Sequence, residues 1–379
     1  MSEINASNFK KEHGNLAPDL VGVTELTSPI YFVPPSGTTA ERPSDCDPGT
    51  IRFNTDHGSL EVFRGNTIGW EQIQRREDQY LGGSNAQTAG SSKGTGVRGI
   101  TAGGNTPSLK EEIEFITIST FGNSKDFGDL TAPSTGNAGS ASRTRGIFNG
   151  KGNLSNVIEF IHIASRGDGT DFGDNSVGST GYRASLSNQI RSVTGGANSP
   201  ASGTGDKIDY LSIANLGNSQ DFGSLSGTRE AAHAFASTTR GIFAGGSSSP
   251  KIEFVTIMTL GDSVDFGNLS VGTVAGHGCS NATRGIMKMR SSYINTMEFL
   301  TIATLGNSID FGDATNNAGG AAAMASATRA IYAGGYGSPS FRTEIGSNEI
   351  ATLGDAVTFG DLSYGADHVA GLSNGHGGL

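Results

Sequence analysis

The sequence predicts an all-β chain whose main part is a β-propeller of six, alternatively seven, four-stranded blades. Two observations predict this fold. A module that reads "IEFITISTFGNSKDFGDL" at 113–130 recurs five more times toward the C-terminus, and the chain holds 58 glycines against 11 prolines among 379 residues. Units of about 40 to 50 residues that each contain several short strands are typical of propeller blades.

One phenylalanine marks the same position in every copy of the module, and successive marks are 45, 50, 44, 45 and 48 residues apart. Within a copy, "IEFITI" places its side chains alternately on two faces, as a half-buried strand does. "DFGDL" predicts a short strand after a tight turn. We expect the marking residue to pack between blades; the six are Phe127, Phe172, Phe222, Phe266, Phe311 and Phe359.

A second element alternates with this module and predicts the remaining strands. It reads "RGIFAGG" at 240–246, a short strand that ends in a double-glycine turn, and the small, polar segment before each copy predicts a fourth, inner strand. Residues 365–379 align with such an inner strand, so we expect them to complete the first blade and close the ring. Residues 85–97 also look like an inner strand, which keeps a partial seventh blade open. The propeller is assigned to 81–379.

The N-terminal part lacks the repeat and divides into two segments. Residues 1–48 are polar and rich in proline, which predicts an extended attachment arm. Residues 49–80 predict a three-stranded module, with strands at 51–54, 59–63 and 69–73. Three short strands cannot bury an independent core, so this module must trimerise, pair with another protein or dock on the propeller. Its candidate attachment residues are Phe53, Phe63 and Trp70.

The repeated "DFG" has the letters of the magnesium-binding motif of protein kinases, but its recurrence at blade spacing favours a structural role. A kinase needs one copy, together with a glycine-rich loop and a catalytic-loop aspartate elsewhere. We expect the aspartate to accept backbone hydrogen bonds across the turn and the glycine to adopt a positive φ angle. The repeated aspartates are Asp126, Asp171, Asp221, Asp265 and Asp310.

The other patterns predict no catalytic residue, metal or cofactor. The seven histidines lack metal-ligand spacing, although His277 and His368 fall at comparable inner-strand positions. "GDGTDFGD" at 167–174 lacks the glutamate that a calcium loop needs at its twelfth position. A repeated arginine, on every blade, predicts an ion pair or a contact to a carbonyl group. Catalysis requires unlike groups with separated pKa values, and the ring is nearly uniform.

Variable loops at the blade edges are the candidate ligand sites, because recognition residues concentrate on loops held by a rigid scaffold. Their aromatic residues, Tyr293, Tyr336 and Phe341, could stack on a sugar or contact a protein. Two alternatives therefore stay open beside scaffolding: a lectin-like carbohydrate-binding module and a glycan-acting, sialidase-like enzyme.

Charge and hydropathy exclude some classes of partner. The net charge of −10 argues against binding to nucleic acid, and no segment is apolar enough for membrane insertion. The N-terminus lacks the apolar core of a signal peptide, and only two cysteines occur, far apart in sequence. We therefore expect synthesis in a cytoplasm.

Two resemblances to known families concern the repeat. A strand that ends in Gly-Gly and is followed by an "IEF" strand resembles the kelch repeat. The turn that contains Ser308, Asp310 and Gly312 resembles the Asp-box of sialidase-like propellers, although the terminal tryptophan of that motif is absent. Both resemblances imply architecture and no activity.

A third resemblance concerns "GTIRFNTDHGSLEVFRGNTIGWEQI" at 49–73. This segment resembles a hairpin of virion structural and tail-fibre proteins of tailed phages, and the whole chain looks like structural proteins of cyanophage-type marine phages. The resemblance implies a non-enzymatic virion protein, on the tail, fibre or capsid surface. It also implies contacts with other virion proteins through residues 1–80, a homo-oligomer, for which we expect a trimer, and attachment to a host glycan or protein.

Overall fold

The computed structural model describes residues 34–56, 59–66, 69–72, 97–151, 155–178, 181–198, 204–290 and 294–379. This part of the chain is all-β: it holds many strands, one short 3-10 helix (Thr39–Glu41) and no α-helix. No helix within it is long and apolar enough to cross a membrane. Contacts divide the chain into two compact units, Met1–Arg75 and Arg76–Leu379.

The N-terminal unit contains one four-stranded sheet, with strands β1 (Ser36–Gly37), β2 (Ile51–Asn54), β3 (Ser59–Phe63) and β4 (Trp70–Gln72). The last three lie at the three predicted strands and pair antiparallel. β1 lies inside the predicted arm and adds a fourth strand, parallel to β2. Most of the predicted arm, residues 1–33, and the end of the predicted module, residues 73–80, lie outside the described residues.

The second unit contains the repeats. Its strands, in chain order, are β5 (Arg98–Ala102), β6 (Asn105–Thr106), β7 (Ser108–Thr117), β8 (Lys125–Ser134), β9 (Ala138–Ala141), β10 (Arg145–Asn149), β11 (Val157–His162), β12 (Thr170–Asp174), β13 (Ala184–Ser187), β14 (Arg191–Gly195), β15 (Lys207–Ser212), β16 (Gln220–Ser224), β17 (His233–Ala236), β18 (Arg240–Ala244), β19 (Lys251–Thr256), β20 (Val264–Asn268), β21 (His277–Ser280), β22 (Arg284–Lys288), β23 (Thr296–Thr301), β24 (Ile309–Asp313), β25 (Ala322–Ala325), β26 (Arg329–Ala333), β27 (Tyr336–Gly337), β28 (Ser340–Phe341), β29 (Glu344–Glu349), β30 (Val357–Asp361) and β31 (Ala370–Ser373).

These strands form six antiparallel sheets, which we number I to VI. Sheets II to V are β9–β12, β13–β16, β17–β20 and β21–β24, each in sequence order. Sheet VI is β25, β26, β29 and β30, and the hairpin β27–β28 is inserted between its second and third strands. Sheet I is β31, β5, β7 and β8, with the short β6 beside the start of β7. The predicted inner strand at 85–97 falls almost entirely outside the described residues.

The C-terminal strand joins the first sheet, as the alignment of 365–379 predicts. β31 pairs antiparallel with β5, with Ala370 opposite Ala102 and Ser373 opposite Gly99. The first strands of the six sheets also contact one another in a cyclic order, from β9 through β13, β17, β21 and β25 to β31 and back to β9. We call these six the inner strands.

The hydrophobic core lies between neighbouring sheets. All six marking phenylalanines are buried in the outermost strands, and five of them pack edge-on against an aromatic ring in the preceding strand. One core cluster combines Phe127 of sheet I with Phe148 and Ile161 of sheet II and with Leu372 of β31. The core is therefore continuous from each sheet to the next.

Candidate functional site

The repeated aspartates lie in the outer strands and not in the preceding turns, where the sequence places them. Asp310, for example, is the second residue of β24 and stands opposite Glu298 of β23. Its side chain is exposed, as are those of Asp126, Asp171, Asp221 and Asp265. The cause is the strand alternation: the buried phenylalanine fixes the inward face, so the residue before it points to solvent.

The turn is held instead by the residues just before the outer strand, and it is held to the neighbouring sheet. The N–H of Gly306 in sheet V donates to the carbonyl of Phe266 in sheet IV at 2.9 Å, and the N–H of Ser308 donates to the carbonyl of Asn268 at 3.0 Å. The side-chain oxygen of Asn307 accepts from the N–H of Asn268 at 3.0 Å. Each turn therefore fastens two sheets together.

The same bonds occur at all six junctions, including the one between sheets VI and I. The glycine of "DFG" belongs to this junction: a Cβ atom on Gly267 would lie 2.2 Å from the carbonyl oxygen of Gly306, so only glycine fits. The glycine-to-phenylalanine bonds are Gly122 to Phe359, Gly167 to Phe127, Gly217 to Phe172, Gly261 to Phe222, Gly306 to Phe266 and Gly354 to Phe311.

The repeated arginine makes a carbonyl contact, one of the two roles that the sequence left open. In every sheet its Nη1 donates to a carbonyl oxygen in the next sheet, at 2.7 to 3.0 Å. The guanidinium also covers an aromatic ring; the Cζ of Arg240 lies 4.4 Å from the ring centre of Phe254. The six pairs are Arg98–Ile163, Arg145–Ile213, Arg191–Ile257, Arg240–Ile302, Arg284–Ile350 and Arg329–Ile118.

A buried carboxylate lies in the third strand of five of the sheets, opposite the repeated aspartate of the outer strand. Glu159 accepts from the backbone N–H of Thr131 in the neighbouring sheet at 2.8 Å and pairs with Lys151. Such pairing is required because an isolated buried charge is very costly. Sheet VI has Gly346 at this position, next to Thr315. The five carboxylates are Glu114, Glu159, Asp209, Glu253 and Glu298.

The residues that repeat are thus used to join sheets, and a site must be sought among those that do not. A cavity of about 90 Å³ lies among the inner strands, lined mainly by alanine, glycine and serine. At one end, His376 of the C-terminal segment accepts the N–H of Gly378 at Nδ1, 3.1 Å away. Its Nε2 therefore carries the proton and donates to the carbonyl of Ala141 at 2.9 Å. Burial lowers the pKa of His376 to about 4.

The other end of the cavity is ringed by six residues with positive φ, one before each inner strand. Two are glycines, Gly136 and Gly320, and the other four carry side chains in a conformation that costs energy. Tyr182 and His368 are the large ones, and their rings meet edge-on with centres 5.0 Å apart. We call this end the mouth. The remaining two are Ala231 and Ala275.

An asymmetric polar cluster lies at the mouth. The Nδ1 of His368 is 3.1 Å from Oδ2 of Asp367, and Nη1 of Arg290 is 3.8 Å from Oδ1 of the same carboxylate. Burial would raise the pKa of Asp367, but the hydrogen bond and charge of His368, with Arg290, hold it below its usual value. Burial raises the pKa of the Tyr182 hydroxyl and lowers that of the His277 imidazole to about 3. At neutral pH the neutral Tyr182 hydroxyl can therefore serve a ligand as donor or acceptor.

Two of the three predicted ligand-loop aromatics lie within the described residues. Tyr336 and Phe341 face each other in the hairpin β27–β28, with ring centres 5.2 Å apart, and both are half-buried. Tyr336 forms a backbone bridge with Gly319, and the side chain of Arg290 lies directly against Gly319. The hairpin is therefore connected to the mouth. Tyr293 lies outside the described residues.

The candidate attachment residues occupy the N-terminal sheet. Phe63 is buried, Phe53 and Trp70 are half-buried, and the rings of Phe63 and Trp70 are 5.5 Å apart. Glu61 lies on the face of Phe63 and Trp70, opposite the face of Phe53, and its carboxylate pairs with Arg42 at 2.6 Å. The hydrogen bond from Arg42 lowers the pKa of Glu61.

Sequence reasoning missed most of the mouth. It singled out His277 and His368 but not Tyr182, Asp367 or Arg290, because their proximity depends on contacts between sheets that are distant in sequence. One signal was available: sheet V reads Lys288-Met289-Arg290 where sheets I, IV and VI have Ala-Gly-Gly. Within the described ranges, no group of three or more His, Cys, Asp or Glu side chains could hold a metal ion.

Comparison with known proteins does not assign the chain to a class. No family model matches the sequence, and no curated protein matches it.

Proposed function

We propose that the six sheets are the blades of one closed six-bladed β-propeller, and that the protein is a non-enzymatic structural protein of a tailed phage particle. The propeller is supported by the cyclic contacts of the inner strands and by the repeated bonds at six junctions, the last of which joins sheets VI and I. The C-terminal strand β31 completes the first blade.

The N-terminal sheet carries the proposed attachment to the particle. Among its described residues, Phe63 is the one buried large hydrophobic side chain, whereas Ile51 and Leu60 are 48% and 37% exposed. Ile51, Phe53, Leu60 and Val62 alternate on one face of the β2–β3 hairpin, opposite the face that holds Glu61. A sheet this small needs a partner to cover such a face. Other virion proteins, or two further copies in a trimer, supply it.

The propeller then serves as the displayed part, for decoration of the particle or for recognition of a host surface. The repeated arginines and turn residues bond from one sheet to the next, so we look for the outward chemistry in the hairpin β27–β28 and the mouth. The protein is made in the host cytoplasm and resides in the virion.

Mass spectrometry of purified particles tests the proposal. We expect peptides of this chain in the particles, and we expect deletion of residues 1–48 to remove them while the purified truncated protein still unfolds cooperatively. Leu60→Asp should weaken incorporation in the same way, whereas Leu216→Asp, at an exposed position in the propeller, should not. Particles that lack the full-length protein would refute the proposal.

A further inference from the structure

We propose that the face formed by sheets V, VI and I, between the hairpin β27–β28 and the mouth, binds a saccharide that carries one carboxylate group. The inference rests on the proposed function, because recognition of a host surface requires that the propeller is displayed. It adds the chemical class of the ligand that the propeller binds.

The first part of the site is an aromatic platform. The hairpin β27–β28 follows the second strand of sheet VI, at the place where sheet I has the short pairing of β6 with the start of β7, and its turn, 338–340, is exposed. Tyr336 and Phe341 close its base with their rings tilted by 60°. Aromatic rings offer a rigid apolar surface to the C–H face of a sugar, and the tyrosine adds a hydroxyl for hydrogen bonding.

The second part is a pair of guanidinium groups that flank this platform. A Cβ atom on Gly337 would lie 3.4 Å from Nε of Arg342, so Arg342 lies beneath the hairpin, and this Nε has no hydrogen-bond partner in the structure. Arg290 lies against Gly319 on the other side, where Gly319 pairs with Tyr336. A planar guanidinium fork matches the geometry of a carboxylate.

The third part is a set of hydrogen-bonding groups toward the mouth. Asp367 contacts both Arg290 and His368, and the ring of His368 meets that of Tyr182. Because Asp367 occupies Nδ1 of His368, the Nε2 of this ring and the hydroxyl of Tyr182 can serve sugar hydroxyls. The polar groups therefore continue from the platform into the cavity.

The charges limit the ligand to one carboxylate. The site combines Arg290, Arg342 and the neighbouring Lys288 with the carboxylates of Asp367 and Glu344, and the whole chain has a net charge of −10. A polyanion would be repelled by this background, whereas a single carboxylate needs only the local guanidinium groups.

Ligand-observed NMR on the purified full-length protein tests this with matched sugar pairs: glucuronic acid with glucose, galacturonic acid with galactose, and mannuronic acid with mannose. We expect at least one acid to bind roughly tenfold more tightly than its neutral partner, and the preference to fall in molar salt because salt screens the ion pair. Equal binding within all three pairs, or no binding by any sugar, would overturn the proposal.

Variants locate the site. Arg342→Gln should abolish the preference for the acid, Arg342→Lys should retain part of it, and Tyr336→Ala should weaken both members of the pair. Arg166→Gln, which removes an exposed charge from sheet II, is the matched control and should change nothing. If Tyr336→Ala fails to fold, Phe341→Leu tests the aromatic platform instead. The comparison of sugar pairs needs no variant, because it uses the unmodified protein. An acid preference that survives Arg342→Gln would refute the site. Binding without incorporation into particles would instead refute the proposed function alone.

Discussion

The guanidinium of Arg329 donates a hydrogen bond to the carbonyl oxygen of Ile118 at 3.0 Å, across 211 positions of sequence. It joins sheet VI to sheet I in the way that Arg240 joins sheet IV to sheet V through Ile302. Gly122 meets Phe359 at the same junction, with the turn bond seen at the other five. The last junction therefore has the same chemistry as the five between sheets that are consecutive in the chain.

Arg240→Met should lower the free energy of unfolding by about 1.5 to 3 kcal/mol, the usual worth of a hydrogen bond to a charged group. The change removes the bond to Ile302 and the guanidinium over Phe254. Chemical denaturation measures the loss. Lys251→Met, at an exposed position of the same sheet, should stay within about 0.5 kcal/mol of the parent, and equal losses in the two variants would contradict the assigned role.

Substitution of Phe311 should lower stability strongly, whereas substitution of Asp310 should hardly change it, although the two residues are neighbours in "DFG". Phe311 is buried, so Phe311→Ala should cost about 3 to 5 kcal/mol. Asp310 is exposed in β24, so Asp310→Asn should change stability by less than about 0.5 kcal/mol. The two thermal unfolding curves give the comparison. A large loss in Asp310→Asn would mean that the aspartate does hold the turn.

Gly312→Ala should destabilise the protein more than Gly306→Ala. Both glycines have positive φ, at 135° and 153°, so each substitution carries a backbone penalty of about 1 to 3 kcal/mol. A Cβ atom on Gly312 would also lie 2.6 Å from the carbonyl carbon of Gly354, whereas Gly306 has nothing within 4 Å. Denaturant midpoints measure the difference, and equal midpoints would show that the sheets are not in close contact there.

Leu372→Ala should cost about 2 to 5 kcal/mol, because the side chain of this C-terminal residue is 4% exposed and packs between sheets I and II. The matched control is Leu216→Ala, at a position that is 61% exposed, where we expect almost no change. Calorimetry compares the two. If Leu372→Ala were neutral, β31 would not complete the first sheet in solution.

Stability should fall as the pH drops from about 6.5 toward 4. Burial lowers the pKa of His233 and His376 to about 4 and that of His277 to about 3, below the ordinary histidine value of 6.5. The unfolded chain then binds protons that the folded chain does not, so each group removes up to about 1.4 kcal/mol per pH unit in this window. Above about pH 6.5 these imidazoles are neutral in both the folded and the unfolded chain, so they cause no further change in the free energy of unfolding.

Urea unfolding at pH 7 and pH 5 measures this dependence. His376→Gln should reduce the slope with pH, because it removes one of the three groups, while His162→Gln at an exposed ring is the control. A slope that His376→Gln leaves unchanged would contradict the buried, neutral state of this imidazole.

The sequence predicts the strands well because each repeat has a clear two-residue alternation and glycine-rich turns. "RGIFAGG" and "IEFVTI" become β18 and β19, and the shared spacing places the C-terminal segment beside β5. The buried position of Phe311 follows from the same alternation.

Other features depend on contacts between residues that are distant in sequence. The exposure of Asp310 follows from its place in β24 beside the buried Phe311, whereas the bonds that hold the preceding turn go to the neighbouring sheet. β1 forms because Ser36 and Gly37 pair with the open edge of β2. The proline-rich sequence around them does not itself predict a strand. The mouth combines Tyr182, which precedes the inner strand of sheet III, with His368, which precedes β31, and only contacts between sheets distant in sequence bring these two rings together.

One particle map by electron cryo-microscopy tests the central proposal most directly. We expect a six-bladed ring held to the particle through the N-terminal sheet, with the hairpin that carries Tyr336 and Phe341 facing outward. A particle map without density for this chain, or one in which that hairpin is buried against another virion protein, would contradict it.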